Sequence, residues 1–198
     1  MVKQRREANR LLAYVPDQPF VYEKLTGREF LKFVADMHGL DARVAFDRLE
    51  REVDTFELAS FVDDLAETYS HGMKQRLIFA AAMLHDPSVL VLDEPMVGLD
   101  PRSCRLVKDL LRKRAAEGTT IFMSTHTLSV AEEIADVIAI LQHGRLRFLG
   151  TLEELRKGAS SHHRTLEQMY LELTDGPTDG ALDEADAQPP PEARKDAG

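Results

Sequence analysis

The chain holds 198 residues, with 25 Lys and Arg against 34 Asp and Glu, and so carries a formal charge of −9. That balance argues against nucleic acid as a partner gripped through a broad basic face, while 43% hydrophobic residues suffice for a core. One cysteine, Cys104, excludes an intramolecular disulfide, and the longest strongly apolar stretch, Leu77 to Leu84, falls far short of the ~20 residues of a membrane span.

No basic-then-apolar leader opens the sequence, which reads as a cytosolic chain. A strand is expected at Leu11 to Val15, broken by Pro16 and Pro19. Thr26-Gly27-Arg28-Glu29 then has the form of a capping box, and Phe30, Phe33, Val34 and Met37 follow at helical spacing as far as Gly39. A charge-rich helix over residues 42–56 completes a helical subdomain, residues 25–69, behind a first segment of residues 1–24. Tyr69 to Arg76 leads into the nearly all-apolar helix Leu77 to Leu84.

Three unbroken apolar runs come next: Val89 to Leu92, Ile121 to Met123 and Val137 to Leu141. Such runs predict strands of a parallel sheet buried on both faces. Between the first two, Pro101 to Glu117 is amphipathic, with Leu106, Val107, Leu110, Leu111 and Ala115 on one face, and Gly118 supplies a stop. A shorter helix over residues 128–135 precedes the third run, and His143-Gly144 turns into a strand ending near Leu149. Thr151 and Glu154 offer a second capping box, and Leu166 to Leu173 reads as a last helix. Strand and helix alternate, the α/β pattern, over residues 70–173. Residues 174–198 carry seven acids, two bases and Pro189-Pro190-Pro191. Their one large apolar residue, Leu182, predicts an acidic disordered tail.

The residues suited to chemistry cluster after the first run. Asp93 and Glu94 place two carboxylates at the carboxyl edge of a parallel sheet, where ligands bind. One acid can hold Mg²⁺ and the next can polarise a water. Gly98-Leu99-Asp100-Pro101 follows at once, and Ser124-Thr125-His126 closes the next strand. Upstream, Ser70 and Gly72 at a helix start present a hydroxyl and free N–H groups, the makings of an anion site.

In this order and spacing the blocks resemble the nucleotide-binding domain of ATP-binding cassette (ABC) transporters of the exporter type. Ser70 to Gln75 is similar to the signature motif, Val89 to Glu94 to Walker B, Gly98 to Asp100 to the D-loop and His126 to the switch histidine. Tyr14 to Asp17 resembles the Q-loop. The resemblance covers residues 11–174 and implies a P-loop NTPase-like parallel sheet with helices on both faces. It implies ATP and Mg²⁺ as cofactors, Asp93 in the metal shell, Glu94 as general base and His126 at the γ-phosphate. Ser70, Gly72 and Gln75 would face an ATP held by a second nucleotide-binding subunit in a head-to-tail dimer, with Asp100 at the interface. The helical subdomain and Q-loop would contact a transmembrane permease, placing the chain on the inner face of the cell membrane.

Three departures from the family pattern stand out. The Q-loop position holds Asp17, with Gln18 one residue later, and His71 replaces the commoner glycine of the signature. No Gly-x-x-x-x-Gly-Lys-Ser/Thr occurs in the 198 residues, so the resemblance is to the C-terminal portion of a cassette ATPase, incomplete at the N-terminus. Met1-Val2 running at once into family-like sequence favours a truncated reading frame over a split gene. As given, the chain is expected to be inactive alone, and poorly soluble for want of an interior strand. The alternative is a non-hydrolytic partner that lends its signature face to an intact subunit. A DNA-repair ATPase would need long coiled coils between Asp17 and Ser70, and no sustained heptads occur there.

Overall fold

The computed structural model describes residues 5–158 and 165–175. The chain resolves into two compact units that divide between Asp136 and Val137. The first opens with helix α1 (Arg5–Leu11) and strand β1 (Leu12–Val15), then α2 (Gly27–Met37), α3 (Ala42–Thr55), a short 3-10 turn at Ala66–Thr68, and α4 (His71–Met83). Strand β2 (Val89–Asp93), α5 (Pro101–Ala116), β3 (Thr120–Ser124) and α6 (Leu128–Ile134) complete it. The second unit holds β4 (Ile138–Gln142), β5 (Arg145–Gly150), α7 (Leu152–Gly158) and α8 (Leu166–Asp175). This is the expected α/β fold, and α1 is an element that the sequence reading left out.

The first capping box forms as drawn. Thr26 Oγ1 accepts from the Glu29 N–H at 3.1 Å, and Glu29 Oε2 accepts from the Thr26 N–H at 2.8 Å. The face that α2 buries is Phe30, Leu31 and Ala35, while Phe33 and Met37 are exposed. Phe33 instead meets Tyr22 edge-on, with ring centroids 5.5 Å apart. Helix α4 is apolar nearly all round because it is enclosed: it packs against α2, α3 and β1, and Leu77, Phe79, Ala80 and Leu84 just beyond it have no exposed surface. A helix without a polar face is the signature of that enclosure.

Strands β1, β2 and β3 form a parallel sheet in that order, with Val15 beside Leu92 and Asp93 beside Ser124. Two expectations fail here. The sheet is not buried on both faces: Ala13, Val15, Leu90 and Leu92 face the core, whereas Leu12, Tyr14 and Phe122 on the other side are 42%, 53% and 66% exposed. The runs are apolar on both faces, but on this side β1 and β3 stay open while Val89 and Val91 of β2 are half-buried. The third run does not join this sheet. β4 pairs antiparallel with β5 across His143-Gly144, both with positive φ, because a two-residue turn makes the local hairpin the shortest route to paired hydrogen bonds.

Along α5 the buried residues are Ser103, Val107, Leu110 and Leu111. Ala115, expected on that face, is exposed. In the second unit Thr151 and Glu154 exchange the hydrogen bonds of the second capping box, Thr151 N–H to Glu154 Oε2 at 2.7 Å and Glu154 N–H to Thr151 Oγ1 at 3.2 Å. Helix α8 runs two residues past Leu173, so Thr174 and Asp175 are helical. The rest of the expected tail, residues 176–198, lies outside the described residues.

Candidate functional site

Parallel strands end at one edge, so Val15, Asp93 and Ser124 deliver their following residues to the same side of the sheet. Asp17 and Gln18 come after β1, Glu94 after β2 and His126 after β3. Asp17 is half-buried and Gln18 exposed. Asp93 is held across the strand pair by the Ser124 hydroxyl, which donates to Oδ1 at 2.5 Å.

Glu94 sits in the left-handed backbone region, at φ 44°, where a non-glycine residue costs roughly 1–2 kcal/mol. Its own N–H still bonds to Ser124 O at 3.0 Å, so the turn begins while sheet pairing continues. The carboxylate swings onto the end of β3. Oε1 accepts from the His126 N–H at 2.7 Å and lies 2.8 Å from His126 Nδ1. Oε2 accepts from Thr125 Oγ1 at 3.1 Å. The Nδ1 contact requires a proton on that nitrogen, which fixes the tautomer of a neutral ring. The His126 side chain is 77% exposed, so the arrangement is an acid with its imidazole at the surface.

The second group gathers at the start of α4. Ser70 caps the helix, its Oγ accepting from Met73 N–H at 3.3 Å. Tyr69, one residue earlier, anchors this end to the helical subdomain. Its hydroxyl donates to Phe61 O at 2.6 Å and accepts from Gly27 N–H at 3.2 Å. Burial pushes the Tyr69 hydroxyl above its ordinary value. A Cβ on Gly27 would stand 2.5 Å from that oxygen, so glycine is needed for the approach.

Gly72 faces the turn after β2, where Gly98 O and Leu99 Cδ2 would each lie 3.8 Å from an added Cβ. His71, the departure in the signature, leans onto the same turn, with Nε2 3.3 Å from Val97 O. Gln75 is placed differently. It is fully buried, and neither of its amide atoms has a hydrogen-bond partner among the described residues. Its side chain lies in the core.

Asp100 serves as the N-cap of α5, accepting from Arg102 N–H at 2.9 Å and from Ser103 N–H at 3.1 Å. The Ser103 hydroxyl adds a bond at 2.6 Å and, with the two backbone donors, holds this exposed carboxyl below its ordinary range. Arg102 in turn grips both oxygens of Glu57 at 2.8 Å, tying the start of α5 to the segment just past α3.

The structure thus gathers Asp93, Glu94 and His126 at the strand ends and Ser70 and Gly72 at the α4 start, while Gln75 is enclosed in the core, Asp100 caps α5, and Asp17 and Gln18 follow β1. The sequence reading gave no role to Ser124, Thr125, Tyr69 or Ser103. Ser124 could be found only from strand register, since it is the partner of Asp93 across 31 positions. Among the described residues no three or more His, Cys, Asp or Glu form a cluster able to hold a metal ion. No helix among them is long and apolar enough to cross a membrane.

Comparison with known proteins gives a consistent family. Residues 1–97 match the family described as ABC transporter. The ABC-type transporter ATP-binding protein EcsA of Bacillus subtilis is 34% identical over 161 residues, which are 81% of this chain and 65% of EcsA. The uncharacterized ABC transporter ATP-binding protein YthP of the same organism is 33% identical, over 83% of this chain and 70% of YthP. A solved chain described as an ATP binding subunit of an ABC transporter superposes with a TM-score of 0.79 at 32% identity, covering 85% of this chain and 70% of its own.

Proposed function

The chain belongs to the ABC transporter family as an ATP-binding subunit, and from that membership we propose that it works beside a membrane permease and a second nucleotide-binding subunit. There it couples ATP hydrolysis to substrate movement at the inner face of the membrane. The observation that carries the reading is the Glu94 carboxylate bonded to both the backbone and the ring of His126 at the carboxyl edge of a parallel sheet.

Asp93 and the Ser124 hydroxyl offer hard oxygen donors of the kind Mg²⁺ takes, and Mg²⁺ needs one or two carboxylates because it keeps waters and phosphate oxygens. When bound it would neutralise phosphate charge. Asp93 would hold it, oriented by Ser124. Glu94 would accept a proton from an attacking water, and His126, fixed by Glu94, would present its ring to the γ-phosphate. Asp17 or Gln18, on the same sheet edge, would supply the Q-loop contact. Ser70, with the backbone donors around Gly72, would receive phosphate oxygens of the other subunit's ATP. Asp100 would stand at that interface, already ordered by its cap.

The residues present do not fit an ATP held by this chain itself, since no Gly-x-x-x-x-Gly-Lys-Ser/Thr occurs in the 198 residues. A polypeptide of these residues alone is therefore expected to leave Asp93, Glu94 and His126 without an anchored triphosphate. The α4 group keeps a role, because its ATP belongs to the partner. The same observation supports the second reading, a subunit contributing only its signature face.

The test mixes this chain with an intact ATP-binding subunit and measures turnover. Ser70→Arg in this chain is expected to lower turnover by filling the anion site, and Glu94→Gln in this chain to change nothing. The opposite pattern overturns the half-site account. In a chain joined behind a nucleotide-anchoring segment, Glu94→Gln should abolish turnover and leave ATP binding, and near-normal turnover removes Glu94 from the role of base.

A further inference from the structure

We propose that Thr125 is a positioning residue for Glu94, and that the Ser124-Thr125 pair forms a clamp in which each hydroxyl holds one of the two adjacent acids. The proposal rests on the reading of Glu94 as the base, and it names what aims that base.

The register makes the pairing. Asp93 and Ser124 are direct neighbours at the ends of β2 and β3, and the residue after each, Glu94 and Thr125, meets the other through a side-chain bond. Ser124 Oγ donates to Asp93 Oδ1 at 2.5 Å, and Thr125 Oγ1 donates to Glu94 Oε2 at 3.1 Å. The direction of the second bond is fixed from behind. Thr125 Oγ1 accepts from the Thr127 N–H at 3.0 Å, which occupies a lone pair and leaves the hydroxyl hydrogen for the carboxylate. The β-branch of threonine restricts χ1, so the hydroxyl is held in place before the acid arrives.

Glu94 needs such holding. A left-handed glutamate persists where its surroundings over-determine it, and here its carboxylate takes donors from two consecutive residues. His126 occupies Oε1 twice, through its backbone N–H and Nδ1. Of the roughly four acceptor positions on a carboxylate, the one left by these contacts is on Oε2, the oxygen that Thr125 orients. His126 alone would leave the carboxylate free to rock about Oε1. Thr125 turns a tethered acid into an aimed one.

Carbodiimide labelling of carboxyl groups in the 198-residue chain, read by mass spectrometry, separates a clamp from general loosening. Thr125→Val is isosteric and lacks the hydroxyl. It should raise labelling of Glu94 about fivefold, the factor set by one ordinary hydrogen bond, and leave Asp93 unchanged. Ser124→Ala should do the converse, and Thr125→Ser should restore protection of Glu94. Buried Glu52 reports the fold: equal gains at Glu52, Asp93 and Glu94 overturn the proposal, as does full labelling of Glu52 in the unsubstituted chain. In the chain joined behind a nucleotide-anchoring segment, Thr125→Val should lower kcat about tenfold with the KM for ATP unchanged, and Thr125→Ser should recover it. If Glu94→Gln abolishes turnover while Thr125→Val does not lower it, the clamp fails and the base stands. If Glu94→Gln leaves turnover intact, the reading of the base fails and takes the positioning role with it.

Discussion

The two groups of candidate residues stand on different supports. Ser70 and Gly72 open a helix enclosed by α2, α3 and β1, and Tyr69 pins that helix end to Gly27 and Phe61. Asp93, Glu94 and His126 stand at the ends of strands whose far face carries exposed Tyr14 and Phe122. The start of α4 can thus be held by a local helical core. The acid–histidine group is ordered chiefly by polar contacts among its own members, from Ser124 to Asp93 and from Thr125 and His126 to Glu94.

That contrast can be broken by comparing losses of volume on the two sides. Leu77→Ala, at a site with no exposed surface, is expected to cost about 2–5 kcal/mol of unfolding free energy. Phe122→Ala, on the open sheet face, should cost no more than about 0.5 kcal/mol. Urea unfolding monitored by circular dichroism checks both. Equal losses would mean that the sheet face is covered in solution, and the contrast would fall.

A smaller effect tests how the start of α4 meets the turn after β2. Gly98 has φ 73°, and a Cβ there would stand 2.5 Å from His71 Cδ2. Gly98→Ala should therefore destabilise by ~1–3 kcal/mol, from backbone strain plus the clash. His71→Ala removes the clash and leaves the strain, so the double variant should recover part of the loss in a mutant cycle. Full additivity would show that His71 does not rest on this turn in solution.

The legible parts of the molecule were those written in local chemistry. Thr26 and Glu29 sit three positions apart and form the box they spell, and Pro101 and Gly118 bracket α5 as punctuation. The α/β order and the residues of both groups were readable for the same reason. What failed needed partners distant in sequence. Whether Val137 to Leu141 joins the parallel sheet depends on which strand lies beside it, and apolar content cannot say. The burial of Glu52 was equally hidden. It lies on a helix rich in charge, yet it is fully buried between Arg51 at 2.7 Å and Arg114 at 3.3 Å, the latter from α5. The cap is the next test in size: Thr26→Ala should cost about 1 kcal/mol by thermal unfolding, placing it below the core and turn variants.

The smallest effect probes the seam between the helical core and the sheet. His38, at the end of α2, stacks on His85 with ring centroids 3.9 Å apart and planes 10° apart. His85 follows α4, and its Nε2 lies 3.2 Å from Leu12 O at the start of β1. If Nε2 donates to that carbonyl, a second proton would go to Nδ1, which is buried and has no hydrogen-bond partner among the described residues. Burial holds both imidazoles below the ordinary value of about 6.5. For His85, the neighbouring His38 and Arg48 act in the same direction, while the Leu12 carbonyl and Asp86 oppose them. Where folded values are lowered, the unfolded chain binds protons first as pH falls below about 6.5. Stability should then decline with acidification until the folded imidazoles also protonate. Glu52 has the opposite sign, since burial raises its carboxyl above the ordinary range: its contribution is lost as pH rises from about 4.5 through the folded value. The two slopes oppose each other in mildly acid solution, so the seam is read by a variant that keeps a ring on His85 without titrating. His38→Phe should flatten the fall in urea midpoint between pH 6.5 and pH 5.5, and leave the midpoint at pH 8 little changed. An unaltered slope would assign the acid sensitivity to other groups and detach the histidine stack from the hold between α4 and β1.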